Sequence, residues 1–210
     1  SGTTGVKGVA GSVSAPSIVG DDTNTGISFP AADTIKFSTG GVERMAITNS
    51  GVTGVGGKLV NYSSVNETGT VSASVAQGAY SSAFISISYA AASSSNKLLI
   101  IAQYNIAVDG TSSTYATLHV AGSPSYRGDA DGNRNRITTS ARSGTSGGLE
   151  NMVLVHLISS PSTSSTTYDI RGSHANDVTK TMYLNRTHSD VNQNYEGRAA
   201  SSITILEFEP

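Results

Sequence analysis

Lys97-Leu98-Leu99-Ile100-Ile101-Ala102-Gln103-Tyr104-Asn105-Ile106-Ala107-Val108 is the longest apolar-rich run in the chain. Residues 98–101 are apolar without a break, so a strand built from them carries apolar side chains on both faces. Residues 152–158 read the same way. Such strands lie centrally, covered on one side by a second sheet and on the other by a partner subunit.

Working outward, apolar residues alternate with polar ones over short runs bounded by Gly, Asn, Asp and Ser, the mark of half-buried strands. Candidate strands are 71–75, 83–89, 97–108, 115–120, 152–158, 166–171, 181–186 and 202–208. Eight antiparallel strands of this length suit a two-sheet jelly roll. No segment sustains a helical apolar period, so almost no helix is expected. The fold class expected is all-β: a short Gly-rich β shaft (1–58), then an antiparallel two-sheet jelly-roll head (59–210), assembled as a homotrimer.

Composition narrows function. The 210 residues contain no Cys and no Trp, so no disulfide can staple the fold. Lys and Arg number 13 against 15 acidic residues, giving a net charge of −2. Without a basic run, neither nucleic acid nor an anionic membrane surface is an expected partner. No apolar stretch approaches the ~20 residues that cross a bilayer as a helix. The opening Ser1-Gly2-Thr3-Thr4 lacks the features of a signal peptide and resembles the cut end of a longer chain.

In the first segment, Gly2, Gly5, Gly8 and Gly11 repeat every third residue. Such spacing permits a triple-helical turn, but without proline it cannot build a stable rod, and a flexible linker is the other reading. After a turn cluster at 21–26, runs 34–37 and 42–47 flank Thr39-Gly40-Gly41 and form a hairpin. Ile35 and Phe37 share one face of its first strand, and Met45 and Ile47 share one face of its second. A lone hairpin with four apolar side chains is unstable in water. Identical copies around a three-fold axis would cover it, making Ile35, Phe37, Met45 and Ile47 the candidate trimer-axis residues.

Catalytic patterns are weak. Gly144-Thr145-Ser146-Gly147-Gly148 spells a nucleophile elbow, but a strand rather than a helix follows. His119, His156, His174 and His188 lack metal-ligand spacing; the first two fall in strands and the last two in loops. Asp129-Ala130-Asp131-Gly132-Asn133 resembles the start of a calcium loop, yet Ser140 stands where a bidentate Glu is needed, so a turn held by Asx side chains is the better reading. Asn66-Glu67-Thr68 and Asn185-Arg186-Thr187 are glycosylation sequons. No catalytic residue, metal or cofactor is expected.

The segment from Ala15-Pro16-Ser17-Ile18 through Arg44-Met45-Ala46-Ile47-Thr48-Asn49-Ser50-Gly51 resembles a repeat of bacteriophage tail-fibre shafts. Thr25-Gly26-Ile27, Pro30-Ala31-Ala32-Asp33, Thr39-Gly40-Gly41 and Glu43-Arg44-Met45 carry the likeness. Gly128–Arg134, Ser159-Ser160-Pro161, Tyr183-Leu184-Asn185-Arg186 and residues 197–204 are similar to distal domains of marine phage fibres. The resemblance implies a virion location, a trimeric fibre joined to an upstream fibre or virion protein, and attachment to a host-cell glycan or protein receptor. It supplies no catalytic residue. A purely structural virion fibre or capsid decoration is the alternative, and a polysaccharide-cleaving spike a third.

Two loops carry the expected receptor contacts. Tyr126, Arg127, Asp129, Asp131, Asn133 and Arg134 occupy one, and His188, Asp190, Asn192 and Tyr195 the other. Asp and Asn supply acceptors and donors, while a Tyr ring covers an apolar sugar face and keeps its hydroxyl wet. The bland alternatives are solvated turns, or Arg134 and Asp190 bridging subunits. A jelly roll presents such loops at one end.

Overall fold

A computed structural model describes residues 10–54, 57–142, 148–175, 178–194 and 196–210. The chain divides into two compact units, Ser1–Lys58 and Leu59–Pro210. Every strand pair is antiparallel, and the described residues contain no helix.

In the first unit β1 (Ile18–Val19), β2 (Gly26–Ser28), β3 (Ile35–Thr39), β4 (Val42–Thr48) and β5 (Gly51–Thr53) form one sheet in chain order. The hairpin expected at Gly40-Gly41 is present. Both glycines adopt positive φ, 58° and 75°, which lets β3 reverse into β4 without steric cost. The single hairpin is nevertheless an underestimate. β1, β2 and β5 are two or three residues long, too short to show alternation. Gly26 permits the β1–β2 approach, since a Cβ there would stand 2.0 Å from the Ile18 carbonyl oxygen. Gly11 sits at φ 69°, outside the polyproline conformation of a triple helix; Gly2, Gly5 and Gly8 lie outside the described residues.

Register gives this sheet an apolar face. Ile18, Ile27, Phe37 and Met45 are successive cross-strand partners, and so are Ile35, Ile47 and Val52. None of the seven is buried, and Ile18 is 56% exposed. The opposite face instead buries the small Ser28, Ser38 and Ala46.

The second unit contains two sheets. One has β6 (Leu59–Glu67), β16 (Ser201–Phe208), β9 (Lys97–Val108), β15 (Lys180–Leu184) and β7 (Val71–Val75) in that order, with β13 (Glu150–Ile158) on the other edge of β9. The second runs β11 (Ser123–Pro124), β10 (Ser113–Val120), β14 (Thr166–His174), β8 (Ile85–Tyr89), with β12 (Thr139–Arg142) also paired to β10. Inward residues of both sheets share one core that includes Leu98, Ile100, Ile203 and Ile205 from the first and Leu118 and Ile170 from the second. Each such aliphatic side chain contributes about 1.5–3 kcal/mol on full burial.

The runs 71–75 and 97–108 coincide with β7 and β9. The strand β6 has no counterpart among the expected runs, because Asn61, Ser63 and Glu67 alternate with equally polar Ser64 and Asn66. The strand β14 continues past 171, so His174 is a buried strand residue and not a loop residue. The strand β15 stops at Leu184 because Asn185 turns to φ 60°.

The outward face of the six-stranded sheet is unusually apolar. Leu157, Leu99, Leu206 and Tyr62 form one cross-strand row over β13, β9, β16 and β6; Val155 and Ile101 are neighbours in the next. Tyr62 is 66% exposed and Val155 62%. Toward β6 the second row turns polar, where Thr204 and Ser64 share a hydrogen bond of 2.9 Å.

Two buried polar residues close the fold. Glu207, the inward residue after Ile203 and Ile205, is fully buried. It accepts hydrogen bonds from Tyr89 Oη (2.6 Å), Asn96 Nδ2 (2.6 Å) and the Ala92 N–H (2.8 Å), tying β16 to the β8–β9 connection. Burial pushes this carboxyl up, but those donors outweigh it and hold the group below the ordinary Glu value. Asn185, also fully buried, donates to the Glu67 and Gly69 carbonyls at 2.7 and 2.9 Å and accepts from Ser201 Oγ at 2.6 Å. The sequon at Asn185 is therefore occupied by structure: its amide has no room for a glycan in the folded chain.

Glu207→Gln should cost about 2–4 kcal/mol at pH 7, read by denaturant unfolding. Because the folded pKa is depressed, the carboxylate's contribution is complete above pH 4.5 and is lost as pH falls through the folded value. The gap between parent and variant should shrink below pH 4.5; a constant gap contradicts the assignment. Asn185→Ala should cost a similar amount, and Asn185→Gly should recover about 1 kcal/mol of it by relieving the positive φ.

Candidate functional site

The first candidate loop interrupts one edge of the β10 sheet. The strand β11 pairs with the end of β10 and β12 with its start, so residues 126–137 project between them. The Gly128 N–H donates to the Ile137 carbonyl and closes the base of the loop. Tyr126 adopts φ 51°, and its ring packs 3.6 Å, centroid to centroid, from that of His156 on β13. Burial holds His156 below the usual imidazole value. Asp131 pairs with Arg134 inside the loop. Asp129 and Asn133 are exposed.

Arg127 points elsewhere and donates from Nη1 to Tyr80 Oη at 3.3 Å. Tyr80 stands edge-on to His119, with ring centroids 4.7 Å apart. His119 lies on β10 opposite Asp169 of β14; both face away from the shared core, yet both are buried. The Gly122 carbonyl accepts from His119 Nδ1, which fixes the proton there and leaves the Nε2 lone pair without a partner. Burial drives the His119 pKa down, in keeping with a neutral ring. Asp169 is held by Arg171 Nε at 2.7 Å. Tyr80, Arg127, Arg134, Asn135, Arg136 and Ser173 line a cleft of about 240 Å³.

The second loop joins β15 to β16. Asp190 accepts from Arg198 at 2.7 Å and lies 3.5 Å from Arg186, so its charge is met within the loop. The Arg186 guanidinium lies 4.1 Å over the Tyr183 ring. His188 Nε2 lies 3.1 Å from Asp109. Glu196 accepts from Thr187 and Ser189, and these hydrogen bonds hold its carboxyl low. A second cleft of about 340 Å³ is lined by Asp190, Asn192, Gln193, Glu196 and Arg198. Tyr195 lies outside the described residues.

No protein-family model and no curated protein matches the sequence. The site is therefore read on its own geometry. The two loops belong to different sheets and line separate clefts. Tyr80, Asn135 and Arg136 were not among the candidates. Tyr80 reaches the cleft through a partner 47 positions away, which no local spacing signals. The described residues contain no group of three His, Asp or Glu side chains able to hold a metal. Of the elbow-like pentapeptide, only Gly148 lies within the described residues. What both clefts offer is hydrogen-bonding and charged groups beside a few apolar surfaces, the chemistry of reversible recognition.

The Asp190 network is an ordering device for the second loop. Asp190→Ala should change global stability by less than about 1 kcal/mol, because its partners are partly exposed. It should raise amide exchange across 186–194, measured by mass spectrometry; unchanged exchange would remove Asp190 from that role.

Proposed function

We propose that this chain is a distal piece of a bacteriophage tail fibre that assembles as a homotrimer and attaches the virion to a host-cell surface glycan or protein. The observation that carries the reading is the uncovered apolar face present in each unit. In the first, Ile18, Ile47 and Val52 are exposed and Ile27, Ile35, Phe37 and Met45 are only half-buried along one sheet face. In the second, Tyr62, Ile101, Val153, Val155 and Leu157 are all at least 37% exposed on one sheet face. Apolar surface this concentrated favours association, and symmetric self-association needs no second gene product.

The strand order supports a jelly-roll head. The row β6-β16-β9-β13 packs against β8-β14-β10-β12, and the chain crosses between the two rows repeatedly. The shaft-like motif also has physical roles that suit a repeated module. Thr25 Oγ1 bonds Asp22 and receives the Gly40 N–H, while Arg44 Nε bonds Thr39 Oγ1, so each turn braces the next. Attachment would then fall to the clefts beside 126–137 and 188–198, and the upstream end would join another fibre or virion protein.

Light scattering at micromolar concentration should give about three times the 21.5 kDa chain mass. Phe37→Asp should cost several kcal/mol per subunit by placing an unpaired charge at the axis. Val155→Asp should cost a single chain little, since the residue is 62% exposed there, yet should dissociate the particle. The purified trimer should compete with phage for adsorption. A monomer at micromolar concentration would overturn the assembly, and a trimer that leaves adsorption unchanged would overturn the attachment role.

A further inference from the structure

Among the described residues the cleft over the outer face of the β10–β14 pair has an unbalanced charge. Three guanidinium groups, Arg127, Arg134 and Arg136, reach it, and none of its lining residues is acidic. Arg134 is matched by Asp131. Among the described residues the other two have only neutral acceptors. Arg127 donates to the Tyr80 hydroxyl, and Arg136 Nε donates to the Gly128 carbonyl at 2.8 Å. Two cations on one cleft wall of a chain whose net charge is −2 are not explained by general surface charge. Each retains guanidinium N–H groups beyond the bond it makes, in the planar fork that suits a carboxylate, sulfate or phosphate.

Preorganisation is the second observation. Tyr80, which holds Arg127, is itself fixed by its edge-on contact with His119, a side chain 2% exposed on the rigid sheet. The Gly128–Ile137 pair fixes the loop that carries Arg127 and Arg136. A cation held in advance loses less entropy on binding than a free surface arginine. The Tyr80 ring, the Asn135 amide and the Ser173 hydroxyl supply the apolar and polar groups a sugar ring uses, which favours a polysaccharide over a protein.

We infer that this cleft binds an anionic group borne on a polysaccharide, a carboxylate, sulfate ester or phosphate, with Arg127 and Arg136 as its ligands. The inference rests on the attachment reading and names the ligand class of its first loop. Calorimetry with the full chain in 150 mM NaCl would use polygalacturonate, dextran sulfate, a phosphomannan, neutral dextran and poly-glutamate as probes. At least one anionic polysaccharide should bind, neutral dextran should not, and Arg127→Gln with Arg136→Gln should weaken binding by about tenfold or more. The probe that binds names the anion. Arg44→Gln with Lys58→Gln removes the same charge from the other unit and should change affinity less than about twofold. Equal losses in both double variants would reduce the effect to diffuse charge and overturn the inference, as would binding of poly-glutamate as tight as any polysaccharide. Arg136→Gln alone, at an exposed position, keeps the test valid if the double variant is unstable. In adsorption assays, a chain that competes equally well with and without the two arginines overturns this cleft while leaving attachment intact. A parent chain that fails to compete overturns attachment itself.

Discussion

Strand β9 is the constraint on which the second unit depends. It pairs along one edge with β13 and along the other with β16 and then β15, so its backbone is bonded on both sides over most of its length. Its inward residues Leu98, Ile100, Ala102, Tyr104 and Ile106 are fully buried. A strand so placed cannot move without opening the core. Two of its outward residues are not polar in compensation: Leu99 has apolar neighbours on β13 and β16, and Ile101 has one on β13. The same strand that fixes the second unit therefore leaves it with a face that water solvates poorly.

Polar groups then decide how the rest is attached to that frame. Glu207 and Asn185 are fully buried, and each gathers donors or acceptors from segments more than a hundred positions away. Such groups are costly to bury unless satisfied, so they specify one arrangement of the β8–β9 connection and of the β6–β7 connection. The outer face of the β10 sheet uses the same principle less completely. There Thr117 Oγ1 and His119 Nε2 are buried without partners, next to an Asp169–Arg171 pair that is satisfied. A face with incompletely paired polar groups under a loop differs in kind from the opposite sheet's apolar face, and it is on this side that the arginine-lined cleft opens.

Period-two alternation made β7 and the all-β class legible, an unbroken apolar run made β9 so, and glycines at 40 and 41 marked the hairpin. It failed where inward and outward residues were equally polar, as in β6, and where strands were too short to alternate, as in β2 and β5. Glu207 could have been noticed from its inward register behind Ile203 and Ile205. Its partners Tyr89 and Asn96 could not, because contacts between sheets leave no local spacing. The first candidate loop was recognisable from its density of Asp, Asn, Arg and Gly. That Arg127 would turn from it toward Tyr80, while Asp190 would be taken up by Arg186 and Arg198, depends on folding geometry alone.

The central claim is that copies of this chain cover the outward face of β13, β9, β16 and β6. Hydroxyl-radical footprinting at micromolar concentration tests it directly, with Tyr126 as an internal reference. Tyr62 is 66% exposed in a single chain and Tyr126 41%, so an uncovered face makes Tyr62 the more reactive of the two. The account predicts the reverse order, with Tyr62, Val155 and Leu157 protected while Tyr126 is oxidised. Oxidation of Tyr62 in proportion to its single-chain exposure would contradict it.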